Sequence, residues 1–92
     1  MAHSIKSDDT TKLFEHMLKL KTVQDFYNFF EDLATIQEIK ELSLRFTVAR
    51  HLSQGKTYSE VERLTNASAT TISRVNKCLN YGTGGYTKVF KE

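Results

Sequence analysis

The chain contains no proline, and its glycines are confined to Gly55, Gly82, Gly84 and Gly85. Those two residue types are the ones that most strongly end a helix, proline by losing a donor and glycine by its backbone freedom. The first 54 residues therefore contain no strong helix breaker. Three segments there place apolar residues at helical spacing. Residues 11–20 carry Leu13, Phe14, Met17 and Leu18 on one side, and residues 23–33 follow behind a Thr22/Asp25 capping pair. The third begins at the capping box Thr35-Ile-Gln-Glu38 and continues through Ile39, Leu42, Phe46, Ala49 and Leu52. It stops at Gly55, a natural residue just past a helix end. The expected fold class is all-α.

A chain of 92 residues makes one domain, and one this small buries a limited share of its surface. It needs an aid to stability, and Cys78, the lone cysteine, cannot supply a disulfide within the chain. Residues 1–14 hold no apolar leader and no run of 18 apolar residues occurs. The expectation is a cytoplasmic protein without a membrane span. Dimerisation is the remaining aid, and the second helix points to it. Phe26, Tyr27, Phe29 and Phe30 fill four of five successive positions, an apolar arc wider than one core-facing stripe. A second copy across a two-fold axis would cover the surplus, making these four the candidate dimer interface. The alternative is a helix wholly internal to the monomer.

Residues 57–79 carry the functional motif. Thr57 and Glu60 form a capping box for a two-turn helix with Val61 and Leu64 facing inward. Asn66 stands where a tight turn needs left-handed backbone, and Ala67 is small enough for two helices to meet. Ser68 caps a second helix whose Ile72, Val75 and Leu79 recur at core-facing spacing. That layout is a helix-turn-helix. Ala69, Thr70, Thr71, Ser73, Arg74, Asn76 and Lys77 are left facing outward. Small hydroxyl and methyl side chains at a helix start suit base edges, whereas Arg and Lys farther along suit phosphates or guanine. An ordinary packed helix pair is the alternative.

Charge agrees with that placement. Residues 1–55 hold seven Lys/Arg against eight Asp/Glu, and residues 56–92 hold six against three. From Ala69 to Asn80 there is no acid, the bias a phosphate-facing surface needs. The glycine-rich tail after Tyr81 reads as a helix stop and flexible turn before a short end that docks Tyr86, Val89 and Phe90. It lacks the Lys-Ser/Thr ending of a phosphate-binding loop.

With these elements in place, residues 35–80 resemble the Trp repressor family. The run Arg-Val-Asn-Lys-Cys-Leu-Asn-Tyr-Gly-Thr-Gly-Gly-Tyr at residues 74–86 resembles the family's YerC/YecD branch in particular. The resemblance implies about six helices in an intertwined homodimer over residues 1–92. Residues 10–54 would form the dimerisation helices, 57–80 the helix-turn-helix and 81–92 the tail. It further implies a bacterial transcriptional regulator, a repressor in the family pattern, on a two-fold symmetric double-stranded DNA site. The DNA-binding set it implies is Ser59, Ser68, Ala69, Thr70, Thr71, Ser73, Arg74 and Lys77. Ser59 replaces a family arginine and Glu62 a family lysine, so the operator sequence need not be shared.

The resemblance also implies an effector pocket at Thr35, Arg45, Arg74, Val75 and Cys78. Arg45 and Arg74 match the arginines that sandwich an indole. Val75, however, replaces the glycine that leaves room for the indole, and Cys78 replaces the serine that meets the ligand's amino group. Overpacking of that kind costs ~1–3 kcal/mol, so tryptophan is expected to bind poorly. Plainer readings are a cap for Thr35 and a pair with Glu41 for Arg45. No cofactor is expected, with tryptophan or another small effector the ligand class in question.

Catalysis finds no constellation. His3, His16 and His51 lie far apart without metal-ligand spacing, and Cys78 reads as a buried, inert thiol beside the core stripe. The rival to DNA binding is a protein-interaction module that keeps the helix-turn-helix shape.

Overall fold

The computed structural model describes residues 4–91, and every regular element among them is helical. In order these are α1 (Asp8–Met17), α2 (Val23–Leu33), α3 (Ile36–Ser53), α4 (Tyr58–Thr65), α5 (Ala69–Tyr81) and α6 (Gly85–Phe90). They fall into two compact units, residues 1–35 and 36–92.

In the first unit α1 starts three residues earlier than the apolar spacing suggests. Ser7 caps it, its Oγ accepting from the Thr10 N–H at 3.0 Å, and Asp8 and Asp9 sit favourably at the positive helix end. The polar first turn hid this start from a reading based on apolar periodicity. The boundaries of α2 match the expectation, as does its capping box: Asp25 N–H donates to Thr22 Oγ1 at 3.0 Å and Asp25 Oδ2 accepts from the Thr22 N–H at 3.3 Å. Phe26 stacks on Phe30 with ring centres 6.5 Å apart, and Phe29 meets Phe30 edge-on at 5.5 Å. None of the described side chains of α1 or α2 is buried; Tyr27 is 62 % and Val23 73 % exposed.

The second unit has a true core: Val48, Ala49, Val61, Ala67, Ile72 and Val75, with Leu44, Leu52, Tyr86 and Phe90 packed around it. Here α3 departs from expectation. Its core-facing stripe is Leu44, Val48 and Leu52, with Ala49 beside it. At about 100° per residue, the expected Ile39, Leu42 and Phe46 lie on the opposite side. Leu42 is 53 % and Phe46 41 % exposed. The helix is apolar on two faces: of the expected positions Ala49 and Leu52 do meet the core, while Ile39, Leu42 and Phe46 lie on the other face and Leu44 and Val48 were not anticipated. Phe46 meets the ring of Phe90, their centres 5.3 Å apart.

Gly55 ends α3 as expected, at φ +86°. The Gly55 N–H donates to the Leu52 carbonyl at 3.0 Å and the Lys56 N–H to the His51 carbonyl at 3.3 Å, the paired bonds of a Schellman stop. Lys56 Nζ then donates to His51 Nδ1 and to Gln54 Oε1, each at 3.0 Å. Burial first, then the Lys56 and Arg50 charges, hold the His51 imidazole below its ordinary pKa, as its acceptor role requires.

Two corrections concern α4 and α6. Leu64, expected inward, is 47 % exposed, because Val61 alone on that short helix faces the core. In α6 Tyr86 and Phe90 dock with parallel rings 5.9 Å apart, whereas Val89 is 65 % exposed on the outer side of the single turn.

Two tests follow from these local devices. Asn66 has φ +60°, a conformation that costs roughly 1–2 kcal/mol for residues with an ordinary Cβ. Asn66→Ala should lower stability by about that amount in urea unfolding and Asn66→Gly should not; equal losses would contradict the turn geometry. The second test concerns pH. Backbone N–H groups, from Lys21 first and Thr22 next, hold the Asp25 carboxyl below its ordinary pKa. The Thr57 N–H and then its hydroxyl do the same for Glu60. The folded state thus keeps these protons off more readily than the unfolded chain. Their stabilisation is complete above the ordinary carboxylate range and lost as pH falls through the depressed values. Thermal midpoints should therefore drop on acidification below about pH 4, less steeply in the Asp25→Asn, Glu60→Gln double variant. An unchanged acid limb would remove both carboxylates from that role.

Candidate nucleic-acid interface

The corner between α4 and α5 is built from four consecutive residues. Thr65 Oγ1 donates back to the Val61 carbonyl at 2.7 Å and accepts from the Ala67 N–H at 3.2 Å. One hydroxyl thereby joins the end of α4 to the turn. Asn66 follows in the left-handed region, its N–H on the Glu62 carbonyl at 2.9 Å. Ala67 is 3 % exposed, so its methyl is packed where a larger group would part the helices. Ser68 then caps α5, its Oγ accepting from the Thr71 N–H at 3.1 Å. The role of Thr65 escaped the sequence reading. Its signal was a threonine four residues after a buried valine and two before the corner alanine.

Ile72 and Val75 point from α5 into the core at 0 % and 4 % exposure, and half-buried Leu79 extends their stripe. Fixing that side fixes the other. Ala69, Thr70, Ser73, Arg74 and Lys77 are all exposed on α5, and Ser68 is exposed at its cap. Ser59 is exposed on the first turn of α4. Two residues expected to face outward are corrected. Thr71 is half-buried, because it sits one position before Ile72 and bonds to Ser68. Asn76, next to Val75, is also half-buried and takes the Asn80 Nδ2 group on its carbonyl at 3.0 Å and on Oδ1 at 3.1 Å.

Helix starts distinguish α5 electrically. The first turns of α1, α2, α3 and α4 each contain an acid: Asp8 and Asp9, Asp25, Glu38, and Glu60. The first turn of α5 contains none. A carboxylate at a helix N-terminus typically stabilises it by about 0.3–1 kcal/mol. Only α5, among the five helices of eight residues or more, leaves its positive end without one. Arg74 and Lys77 add charge farther along the same outward side.

The suggested effector residues are dispersed in burial. Val75 is packed in the core, and Arg45 and Arg74 are exposed. Cys78, expected to be a buried thiol, is exposed: it lies about a quarter-turn from the Ile72–Val75–Leu79 stripe. A shallow depression of about 210 Å³ is lined by Glu38, Glu41, Leu42 and Arg45, all on α3. Glu41, the alternative partner for Arg45, accepts instead from Gln37 at 3.4 Å. Thr35 closes the first unit.

Among the described residues no three His, Cys, Asp or Glu side chains gather as a metal site. His16 Nδ1 bonds to the Lys12 carbonyl at 2.6 Å, and His3 lies outside the described residues. No described helix is long and apolar enough to cross a membrane.

Comparison with known proteins converges. The sequence profile of the Trp repressor protein family matches residues 8–92. The uncharacterised protein YerC of Bacillus subtilis is 46 % identical over 82 residues, 89 % of this chain and 79 % of that protein. A crystal structure of a TrpR-like protein from Eubacterium eligens superposes with a TM-score of 0.88 at 48 % identity, over 94 % of this chain and 89 % of that one. A crystal structure from Staphylococcus aureus, provisionally described as a Trp repressor, gives 0.86 at 39 % identity, over 92 % and 85 %.

Proposed function

The chain belongs to the Trp repressor family, a family of regulators rather than enzymes, and from that premise we propose that it binds double-stranded DNA sequence-specifically as a transcriptional repressor. One observation carries the reading: the start of α5 is exposed, studded with small polar side chains and free of the acid that each preceding helix has. A phosphate or an electronegative groove can take the place of that missing carboxylate. Ala69, Thr70 and Ser73 are short enough to let the helix approach base edges, with Ser59 and Ser68 at the margins. Arg74 and Lys77 supply the cations for phosphates or guanine.

The working form in this proposal is a cytoplasmic homodimer on a two-fold symmetric site. The exposed apolar surfaces support it: Phe26, Tyr27 and Val23 on α2, and Leu42 and Phe46 on the second face of α3. Isolated helices of that length are marginal in water without tertiary cover. Residues 10–54 would then serve dimerisation, 57–80 DNA and 81–92 the tail. Tryptophan is not the effector in this reading. Val75 occupies the place that the family resemblance assigns to a glycine, and its side chain is already packed in the core. Thr35, Arg45, Arg74 and Cys78 would have to serve a different, smaller ligand or none.

Retention on random duplex DNA at two salt concentrations tests the main claim. Binding should be weak and fall steeply with salt through counterion release. Lys77→Ala should weaken it for all sequences and reduce the log–log salt slope by about one, whereas Thr71→Ala should lose preference for a selected site. Adding tryptophan should change neither. No retention at either salt would favour the protein-interaction module. For the dimer, Phe30→Asp should yield unfolded chains by circular dichroism; a well-folded monomer would contradict the intertwined form.

A further inference from the structure

The connection between α3 and α4 gathers three basic side chains. Arg50 and His51 stand in the last turn of α3, and Lys56 follows the Gly55 stop. An ammonium can only donate, so the 3.0 Å bond from Lys56 Nζ makes His51 Nδ1 an acceptor and leaves the ring hydrogen on Nε2. Gln54 Oε1 takes a second Lys56 hydrogen at 3.0 Å. Two groups that are both cations when protonated thus touch, and the pair carries one titratable proton where it has room for two. A cation at a helix C-terminus is ordinary, because the dipole there favours it, and that accounts for Arg50. It does not account for a histidine kept neutral at the same end by burial and by the Lys56 and Arg50 charges. The acid facing the cluster from α4 is Glu60, and its Oε1 is committed to the Thr57 N–H and hydroxyl, each at 3.0 Å. Among the described residues neither Arg50 nor Lys56 makes an ion pair.

We propose that the Arg50–His51–Lys56 corner is a phosphate site that takes up a proton as it fills. A phosphate beside Lys56 accepts the ammonium hydrogens that now lie on His51 and Gln54. The vacated Nδ1 then binds a proton from water, and the imidazolium donates it to a phosphate oxygen. One proton is gained from solvent for each phosphate held, and only hydrogen bonds are exchanged. None of the α5 residues belongs to this site. The chemistry allows two sources, a nucleic-acid backbone or a free phosphate, and resting on the DNA reading above the backbone is favoured. Lys56 lies three residues before Ser59, at most about 11 Å along the chain, and the phosphates of one duplex strand recur every ~3.4 Å of axis. A duplex that meets Ser59 brings such phosphates within reach of this corner.

The test follows the His51 ring by NMR in the full chain, with a duplex selected from randomised DNA and, separately, with inorganic phosphate alone. In the free protein His51 should carry its hydrogen on Nε2 and titrate below the ordinary histidine value of about 6.5. A ligand that fills the corner should raise that midpoint: the duplex if the backbone is the source, inorganic phosphate alone if a free anion is. Because the bound form holds the extra proton, duplex affinity should climb as pH falls from about 8 to 6, by up to about tenfold per unit per chain. Calorimetry in buffers of different ionisation heat should show the matching proton uptake. His51→Gln keeps an acceptor for Lys56 but cannot titrate, so its affinity should no longer climb, whereas His16→Gln should leave the climb intact. Lys56→Gln should reduce the log–log salt slope by about one and return the free His51 midpoint to its ordinary range. A midpoint moved by neither duplex nor phosphate, a free His51 with its hydrogen on Nδ1, or undiminished proton uptake in His51→Gln would overturn the proposal. Should the wild type be retained on no duplex, the DNA reading falls, while the response of His51 to inorganic phosphate still decides the corner.

Discussion

The wedge of Ile72 and Val75 against Val48 and Val61 is the contact on which the rest of the second unit depends. Burying a side chain of that kind contributes about 1.5–3 kcal/mol, and among the described residues the fully buried core has six members, none larger than isoleucine. With so little apolar volume, the geometry must be completed by local devices: the Schellman stop at Gly55, the Thr57–Glu60 box, the Thr65 bracket and the left-handed Asn66. Each satisfies backbone groups that a short helix would otherwise leave open to water. Together they rotate α5 so that its inward stripe meets α3 and its outward stripe meets solvent. The surface proposed to read DNA is the reverse side of the core.

Apart from the Thr65 bracket and the Ser7 cap, the backbone devices that decided the structure were legible in the sequence. Capping boxes, the glycine stop, the asparagine at the corner and the small residue beside it have local causes that a few neighbouring residues express. The boundaries of α2 and the whole α4–turn–α5 layout followed from them. Legibility failed where the cause was not local. Of the expected α3 positions Ala49 and Leu52 meet the core, but Leu44 and Val48 take the places expected of Ile39, Leu42 and Phe46 on the opposite side, and periodicity cannot say which stripe belongs to the chain's own core. Cys78 and Asn76 were misjudged for a related reason: a quarter-turn decides between core and surface, finer than an i, i+3, i+7 count resolves. The start of α1 was missed because its first turn is polar throughout.

The two-faced α3 and the unburied aromatics of α2 share one physical meaning. Each helix carries more apolar surface than its own unit covers: Leu42, Phe46, Phe26 and Tyr27 are all more than two-fifths exposed. Solvent-exposed aliphatic and aromatic groups are ordinary when scattered, but stripes of them on two successive helices are not. A homodimer would turn that surplus into the missing core, and would place two copies of α5 under one symmetry axis. The same surplus would be a liability for a chain working alone.

The electrostatic pattern sets the start of α5 apart from the starts of the helices before it. Helices α1 to α4 each place a carboxylate against the positive helix end, and two of those acids, Asp25 and Glu60, are held ionised by the very N–H groups they cap. Helix α5 has only the neutral Ser68 oxygen there. Neutral capping stabilises the helix almost as well as an acid does, yet it leaves the field of the helix end directed outward. An acid at the same place would have repelled phosphate across the distance at which recognition begins. The absence of an acid from this one first turn therefore costs the helix little and leaves its positive end open to an anion such as phosphate.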